Sequence, residues 1–204
     1  MDKNTILLDF GNVLYEIDFT KTVHELKMLC NEDVTIDFSN ERQLDIFIEL
    51  EIGQLSAIQF YEKFSAKYCK NGVTFDEIKN AWNALFIAPF SDTNEVIHQL
   101  KNKGYTIAVV SNTNEIHVEY FEPKSQSFLS KVDYIFYSHH MHQRKPNEEY
   151  FSTVLNYLNI QPQHAVYIDD SSEYLVTAKS MGITSYKKEL NITLSELLHS
   201  VNIL

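Results

Sequence analysis

The sequence predicts an α/β fold: a doubly wound parallel sheet interrupted near its start by an inserted block of helices. Three observations carry this. From Pro89 onward, short apolar runs alternate with stretches of helical periodicity, the pattern of a parallel sheet covered on both faces. From about Phe19 to Phe86 the chain reads as helix after helix, with no convincing strand. Polar residues also stand where strands should surface: Asp9, Ser111, and Asp169 with Asp170, with Lys145 following another strand.

Ile6 to Leu8 form the first buried strand, and Asp9 follows at its C-terminal end, where open α/β sheets bind ligands. Gly11 permits an unusual backbone conformation or a close approach, and Asn12 tolerates a tight turn. Taken alone, Asp9 fits a turn cap as well as a reactive carboxylate. In the helical block, Ser56 with Gln59 and Thr74 with Glu77 have capping-box spacing, while Gly53 and Gly72 fall between helices. Ile58, Tyr61, Phe64 and Tyr68 recur at helical spacing, so the aromatics here, Trp82 and Phe86 included, are expected to pack a core rather than form a binding surface.

After Pro89, Asp92 with Glu95 has capping-box spacing again, Val96, Ile97 and Leu100 mark the helix, and Gly104 suits its C-cap. A strand at Thr106 to Val110 ends at Ser111-Asn112-Thr113, and helical residues follow around Ile116 to Phe121. Tyr134 to Tyr137 form the next strand, with Lys145-Pro146 shortly after it. A helix at Glu148 to Leu158 precedes a strand at Ala165 to Ile168, which ends in Asp169-Asp170. A helix ending near Gly182 and a strand at Ile183 to Tyr186 complete the alternation. Residues 1–16 and 89–204 thus make the α/β core, and 17–88 the inserted helical domain. Right-handed crossovers bring the four polar strand ends to one rim, near the switch point of the sheet.

The chain has 204 residues, 44% of them apolar and 13% aromatic, enough for a sizeable core. Its net charge of -11 opposes a nucleic-acid partner, which needs a basic face to release counterions. Cys30 and Cys69 have no metal-ligand spacing and read as free, buried thiols in a reducing compartment. Met1-Asp2-Lys3-Asn4 carries no charged-then-apolar leader, and no apolar run approaches membrane-spanning length. The expectation is a soluble cytoplasmic protein.

Several carboxylates, one ammonium, one hydroxyl and a glycine-containing loop suit phosphoryl transfer. Clustered carboxylates repel unless a cation sits among them, and Mg²⁺ takes one or two carboxylates together with waters and substrate phosphate. Lys145 and Ser111 would hold phosphate oxygens, and Asp9 would be free to attack as a nucleophile.

Asp9-Phe10-Gly11-Asn12-Val13, Val109-Val110-Ser111-Asn112-Thr113, Arg144-Lys145-Pro146 and Tyr167-Ile168-Asp169-Asp170 together resemble, in order, the four motifs of the haloacid dehalogenase-like hydrolases. The inserted helices resemble the small cap of that superfamily's C1-capped branch, and the motif variants are similar to a bacterial subgroup that includes sugar-1-phosphate phosphatases acting on substrates such as glucose 1-phosphate. The resemblance implies a Rossmann-like core and a Mg²⁺-dependent phosphatase acting on a small phosphorylated metabolite through an aspartyl-phosphate. Asp9 would be nucleophile and metal ligand, Gly11 would offer its carbonyl to the metal, and Asp169 and Asp170 would complete the metal site. Ser111, Asn112 and Lys145 would bind the transferring phosphate. Such an enzyme works as a monomer or homodimer, on a small molecule, with neither nucleic acid nor membrane as partner.

Two departures qualify the resemblance. Gly11 stands where most phosphatases of the superfamily carry a second Asp that protonates the leaving group, and Tyr174 stands where an Asp or Asn is usual, with Glu173 as a neighbouring substitute. His139, His140 and His142 read as a solvated loop, or as the source of the missing acid. Glu16 and Asp18 suit a hinge, a polar contact to substrate or a helix cap near Phe19, and Gly53-Gln54 a connector turn or a loop facing the sugar. Two other functions fit the same motifs: a metal-free 2-haloacid dehalogenase, whose relatives also lack the second Asp, and a phosphate-ligand binding module that has lost catalysis.

Overall fold

The computed structural model describes residues 4–39 and 43–204. Residues 1–3, among those read for a leader, and 40–42, within the inserted block, lie outside the described residues. Strand β1 (Thr5–Leu8) enters the middle of the sheet, and β2 (Tyr15–Ile17) leads away from it. Helices α1 (Phe19–Leu29), α2 (Asp45–Glu51), α3 (Ala57–Tyr68) and α4 (Phe75–Trp82) follow, closed by a 3₁₀ turn at Asn83–Leu85. Strand β3 (Phe86–Pro89) then returns antiparallel to β2, with Tyr15 opposite Pro89 and Glu16 opposite Ala88. Phe86 therefore opens a strand rather than closing a helix. A four-residue run has too short a period to announce itself, and pairing with β2 decides its state.

Next come α5 (Thr93–Asn102), β4 (Thr106–Ser111), α6 (Glu115–Leu129), β5 (Tyr134–Tyr137), the single turn α7 (Ser138–Met141) and α8 (Glu148–Leu158). The chain ends with β6 (Ala165–Asp169), α9 (Ser172–Ser180), β7 (Thr184–Lys187) and α10 (Leu194–Ser200). Helix α6 continues well beyond Phe121 even though Pro123 lies inside it. Among the described residues, no helix is long and apolar enough to cross a membrane.

The main sheet is parallel, in the order β5-β4-β1-β6-β7. Winding runs outward from β1 through β4 to β5, then restarts at β6 on β1's other side, so the switch point falls beside β1. Side chains alternate between two buried layers. Ile6 and Leu8 pack with Val109 and Ile168 on one face, and Leu7 packs with Ala108, Val110 and Tyr167 on the other. This double burial explains the uninterrupted apolar runs.

The inserted helices have their own core, centred on Trp82, whose ring lies 4.5 Å from Phe38, 4.6 Å from Phe47 and 5.4 Å from Phe60. Ser56 and Thr74 form complete capping boxes with Gln59 and Glu77. The expected third box fails: Asp92 precedes α5 but makes no capping bond, and its Oδ2 accepts instead from the Ser195 N–H at 2.9 Å. A partner 103 residues away wins over the local one. Asp18 caps α1 through the Thr20 N–H at 2.9 Å, resolving its readings in favour of the cap. Cys30 and Cys69, both buried and free, face each other across an antiparallel bridge.

Thr22 ties α1 to the end of α4. Its buried hydroxyl donates to the Trp82 carbonyl at 3.0 Å and accepts from the Leu85 N–H at 3.1 Å. Thr22→Val keeps the shape and orphans both backbone groups, so it should cost about 1–3 kcal/mol, read from urea unfolding followed by the fluorescence of Trp82, the chain's single tryptophan.

Candidate active site

Strand β1 ends at Leu8, and the next N–H, that of Asp9, still donates to the Ile168 carbonyl of β6 at 2.9 Å. Asp9 is thereby held at the sheet's rim beside the ends of β4 and β6. The turn that follows places Asn12, not Gly11, in the left-handed region at φ 56°, a conformation that Asn tolerates. Asn12 Nδ2 donates to Asp170 Oδ2 at 3.0 Å, and its Oδ1 accepts from the Ile17 N–H.

Lys145 is fully buried at the centre of this rim. Its Nζ donates to Asp9 Oδ1 at 2.6 Å and to Asp169 Oδ2 at 2.7 Å. Asn112 holds the Lys145 backbone from both sides: Nδ2 donates to its carbonyl and Oδ1 accepts from its N–H, each at 2.9 Å. Asp169 is further occupied, with Tyr167 Oη donating to Oδ2 and the Ser171 N–H donating to Oδ1. Ser111 lines the same cavity.

Carboxylate oxygens of Asp9, Asp169 and Asp170 lie within 4.8 Å of one another. Burial pushes Asp9 up to about 8, with Lys145 opposing and Asp169 and Asp170 adding repulsion. Burial likewise raises Asp170, to about 6. Lys145 behaves differently: burial alone would discharge it, but Asp169 and Asp9 hold it well above its ordinary value. Ionised together, the three carboxylates would exceed the one ammonium by two negative charges, the excess that a single divalent cation cancels. All-oxygen donors with room for water suit Mg²⁺.

A model of the haloacid dehalogenase-like hydrolases matches residues 6–187. The chain belongs to that family. The chain is similar to a D-ribitol-5-phosphate phosphatase of Bacteroides thetaiotaomicron, at 28% identity over 93% of each chain. In structure it is similar to a HAD family enzyme, bt-2542, of the same organism, solved with magnesium and inorganic phosphate, at 24% identity, TM-score 0.82 and coverage of 95% and 98%. A HAD-like hydrolase from Porphyromonas gingivalis matches at 21% identity, TM-score 0.85 and coverage of 99% and 98%.

The departures from the family pattern have structural counterparts in this hydrolase. A Cβ added to Gly11 would lie 2.6 Å from Ile17 Cδ1, so an apolar side chain fills the space where the second Asp would stand. Tyr174 is buried and its hydroxyl accepts from Asn112 Nδ2 at 3.4 Å, whereas Glu173 points to solvent and is no substitute ligand. The three expected histidines stay away from Asp9. His140 and His142 are exposed, His139 is half-buried, and the group packs against the loop after α2, where His142 Nδ1 meets the Ile52 carbonyl at 3.0 Å. Gly53 at φ +66° permits that contact, since a Cβ there would strike the His139 carbonyl oxygen at 2.3 Å. Gly53-Gln54 is accordingly a connector, not a surface over Asp9.

Among the cavity residues that the sequence did not mark as such are apolar Ile17, Phe38 and Leu85, polar Gln43 and Glu51 from the inserted block, and His117 and Phe121 from α6. The periodicity of α6 marks Phe121 as core, but nothing local marks the others. Phe86 serves both as packing and as cavity wall. His117 stacks on Trp82, with centroids 5.1 Å and planes 3° apart, and its Nδ1 lies 3.0 Å from Asn83 Oδ1. Burial, with His139 adding repulsion, lowers His117 to about 3.

His117 is therefore neutral when folded and takes up a proton near its ordinary value when unfolded. Between those two values the unfolded chain binds the extra proton, so the folded state loses stability as pH falls. From pH 6.5 to 5 the loss attributable to His117 should be about 2 kcal/mol. In Mg²⁺-containing buffer the stability gap between the wild type and His117→Gln should narrow by that amount, measured by denaturant melts at both pH values.

Proposed function

We propose that this chain is a Mg²⁺-dependent phosphatase of a small phosphorylated metabolite, a sugar or polyol monophosphate, working through an aspartyl-phosphate on Asp9. The observation that carries the reading is Lys145 wedged between Asp9 and Asp169, with Asp170 within reach of the same ion. The relatives' ribitol-5-phosphate phosphatase and magnesium–phosphate complex support it.

In this reading Lys145 holds Asp9 Oδ1, leaving Oδ2 to attack phosphorus while the bond to the leaving oxygen breaks. Water then attacks the phosphorus of the aspartyl-phosphate, releasing inorganic phosphate and restoring the carboxylate. Bound Mg²⁺ supplies charge neutralisation on the phosphate oxygens. Asp9, Asp170 and the Gly11 carbonyl would hold it. Asp169 belongs to the metal set too, but its oxygens are engaged by Lys145, Tyr167 and Ser171, which favours Asp170 for direct contact. Ser111 and Lys145 bind the transferring phosphate, and Asn112 contributes through the position it gives Lys145. With Gly11 and Ile17 where an acid would stand, the leaving oxygen takes its proton from water or from another side chain.

Residues 17–88 act as the cap and residues 1–16 and 89–204 as the core. Pairing of β2 with β3 supports boundaries at 16/17 and 88/89, because the two crossings are bonded to each other. Cap closure excludes water from the transfer. The enzyme works in the cytoplasm on a small molecule, as a monomer or homodimer, away from nucleic acid and membrane.

Asp9→Asn should lower kcat/KM for an aryl phosphate by at least about 10³-fold while the unfolding midpoint in denaturant stays within the folded range. Chelation should abolish wild-type turnover and Mg²⁺ restore it. Chelator-resistant halide release from a 2-haloacid, or substantial turnover by the variant, would overturn the reading.

A further inference from the structure

A second polar cluster overhangs Asp9 from the inserted helices. Glu51, the last residue of α2, is 6% exposed, and both it and Gln43 line the cavity that holds Asp9 and Lys145. Glu51 Oε1 accepts from Gln43 Nε2 at 3.3 Å. From the core side, Arg144 Nη2 approaches Glu51 Oε2 to 3.2 Å, an ion pair outside hydrogen-bonding geometry.

The cluster is incomplete. Among the described residues, the buried atoms Gln43 Oε1, Glu51 Oε2 and Arg144 Nε have no hydrogen-bond partner. Native interiors rarely leave such atoms unpaired, and Gln43 and Glu51 carry theirs on side chains that line the cavity, where a ligand can complete them. Both of these atoms accept. Neighbouring hydroxyl groups match that set, since each donates one proton and also accepts. A second phosphate or a carboxylate at the far end of the substrate would meet Glu51 as a like charge. Apolar walls from Phe38 and Phe86 leave room for carbon but offer no competing polar partner.

We propose that Gln43 and Glu51, with Arg144 bracing Glu51 from the core side, form the specificity site of this enzyme, receiving hydroxyls at the non-phosphorylated end of a neutral polyhydroxylated monophosphate and rejecting bisphosphates and phosphorylated acids. The assignment rests on the phosphatase reading at Asp9. It makes Glu51 and Gln43 recognition residues that never touch the reacting atoms.

The test compares kcat/KM with Mg²⁺ for three substrates: p-nitrophenyl phosphate, a pentitol 5-phosphate and the corresponding phosphorylated aldonic acid. The wild type should prefer the pentitol phosphate to the acid by at least about 10-fold. In Glu51→Gln, the ratio of pentitol phosphate to aryl phosphate should fall by about 10- to 100-fold, and Gln43→Leu should lower the same ratio. Gln43 is only half-buried, so this second variant supplies the answer if Glu51→Gln fails to fold. A merely structural role would depress both substrates together and leave the ratio alone, which would overturn the assignment, as would a wild type that prefers the acid. Turnover of the aryl phosphate by the wild type keeps the parent reading intact in either case, and its absence overturns both.

Discussion

The position of the Lys145 ammonium is the constraint on which the rest of the structure depends. A fully buried lysine is tolerated only where opposite charge and hydrogen bonds replace water, and here Asp9 and Asp169 do so from strands on adjacent tracks of the sheet. Those two carboxylates need the ammonium as much as it needs them, because without it three buried acids would repel one another. Nothing in the β5–α8 connection alone would place Lys145 so deeply. Asn112, just past β4, grips its backbone at both polar atoms, so the ends of β1, β4 and β6 are locked to one residue. The parallel sheet supplies the adjacency, and Lys145 converts adjacency into a defined electrostatic site.

The inserted helices are tied to that site through a second set of buried polar contacts. Trp82 Nε1 donates to Asn114 Oδ1 at 3.3 Å, the same oxygen that accepts from the His117 N–H to cap α6. Ser138 lies between the two units, its hydroxyl accepting from the Thr113 N–H at 2.9 Å and lying 2.6 Å from the Glu51 carbonyl. One atom of α6's cap and one serine of α7 therefore serve both the core and the helices above it. Such shared atoms couple the position of α2, and with it Glu51, to the loops carrying Asn112 and Lys145.

What was legible in the sequence follows from the range of the interactions involved. The strands at Tyr134–Tyr137 and the helix at Glu148–Leu158 match their expected limits because each is set by burial pattern and local breakers. Asp9, Ser111, Lys145, Asp169 and Asp170 could be found because strand ends in a parallel sheet share a rim. Asp92 misled because its spacing to Glu95 is local while its actual partner lies on α10. Phe86 was obscured by a strand too short for a period. Glu51 and Gln43 carried no signal at all: a carboxylate at the end of an amphipathic helix looks like any solvated one until the fold lowers it over Asp9. The histidines follow the solvated-loop reading for His140 and His142, which are exposed, because α7 turns the group toward Ile52 and Gly53 and not toward Asp9.

The apolar filling around Gly11 bears on how catalysis is distributed across the site. General acid catalysis contributes typically about 10²- to 10⁴-fold, and an enzyme without it at the usual position must stabilise the leaving oxygen otherwise. Ile17 does more than occupy the vacated space. It belongs to β2, so the side chain that meets residue 11 is carried by the strand that joins the core to the inserted helices. Its backbone N–H is held by Asn12, which also holds Asp170. An aspartate at residue 11 would have to displace Ile17. Glycine therefore leaves Ile17, and with it the crossing strand, in place beside residue 11 instead of displaced by a polar group.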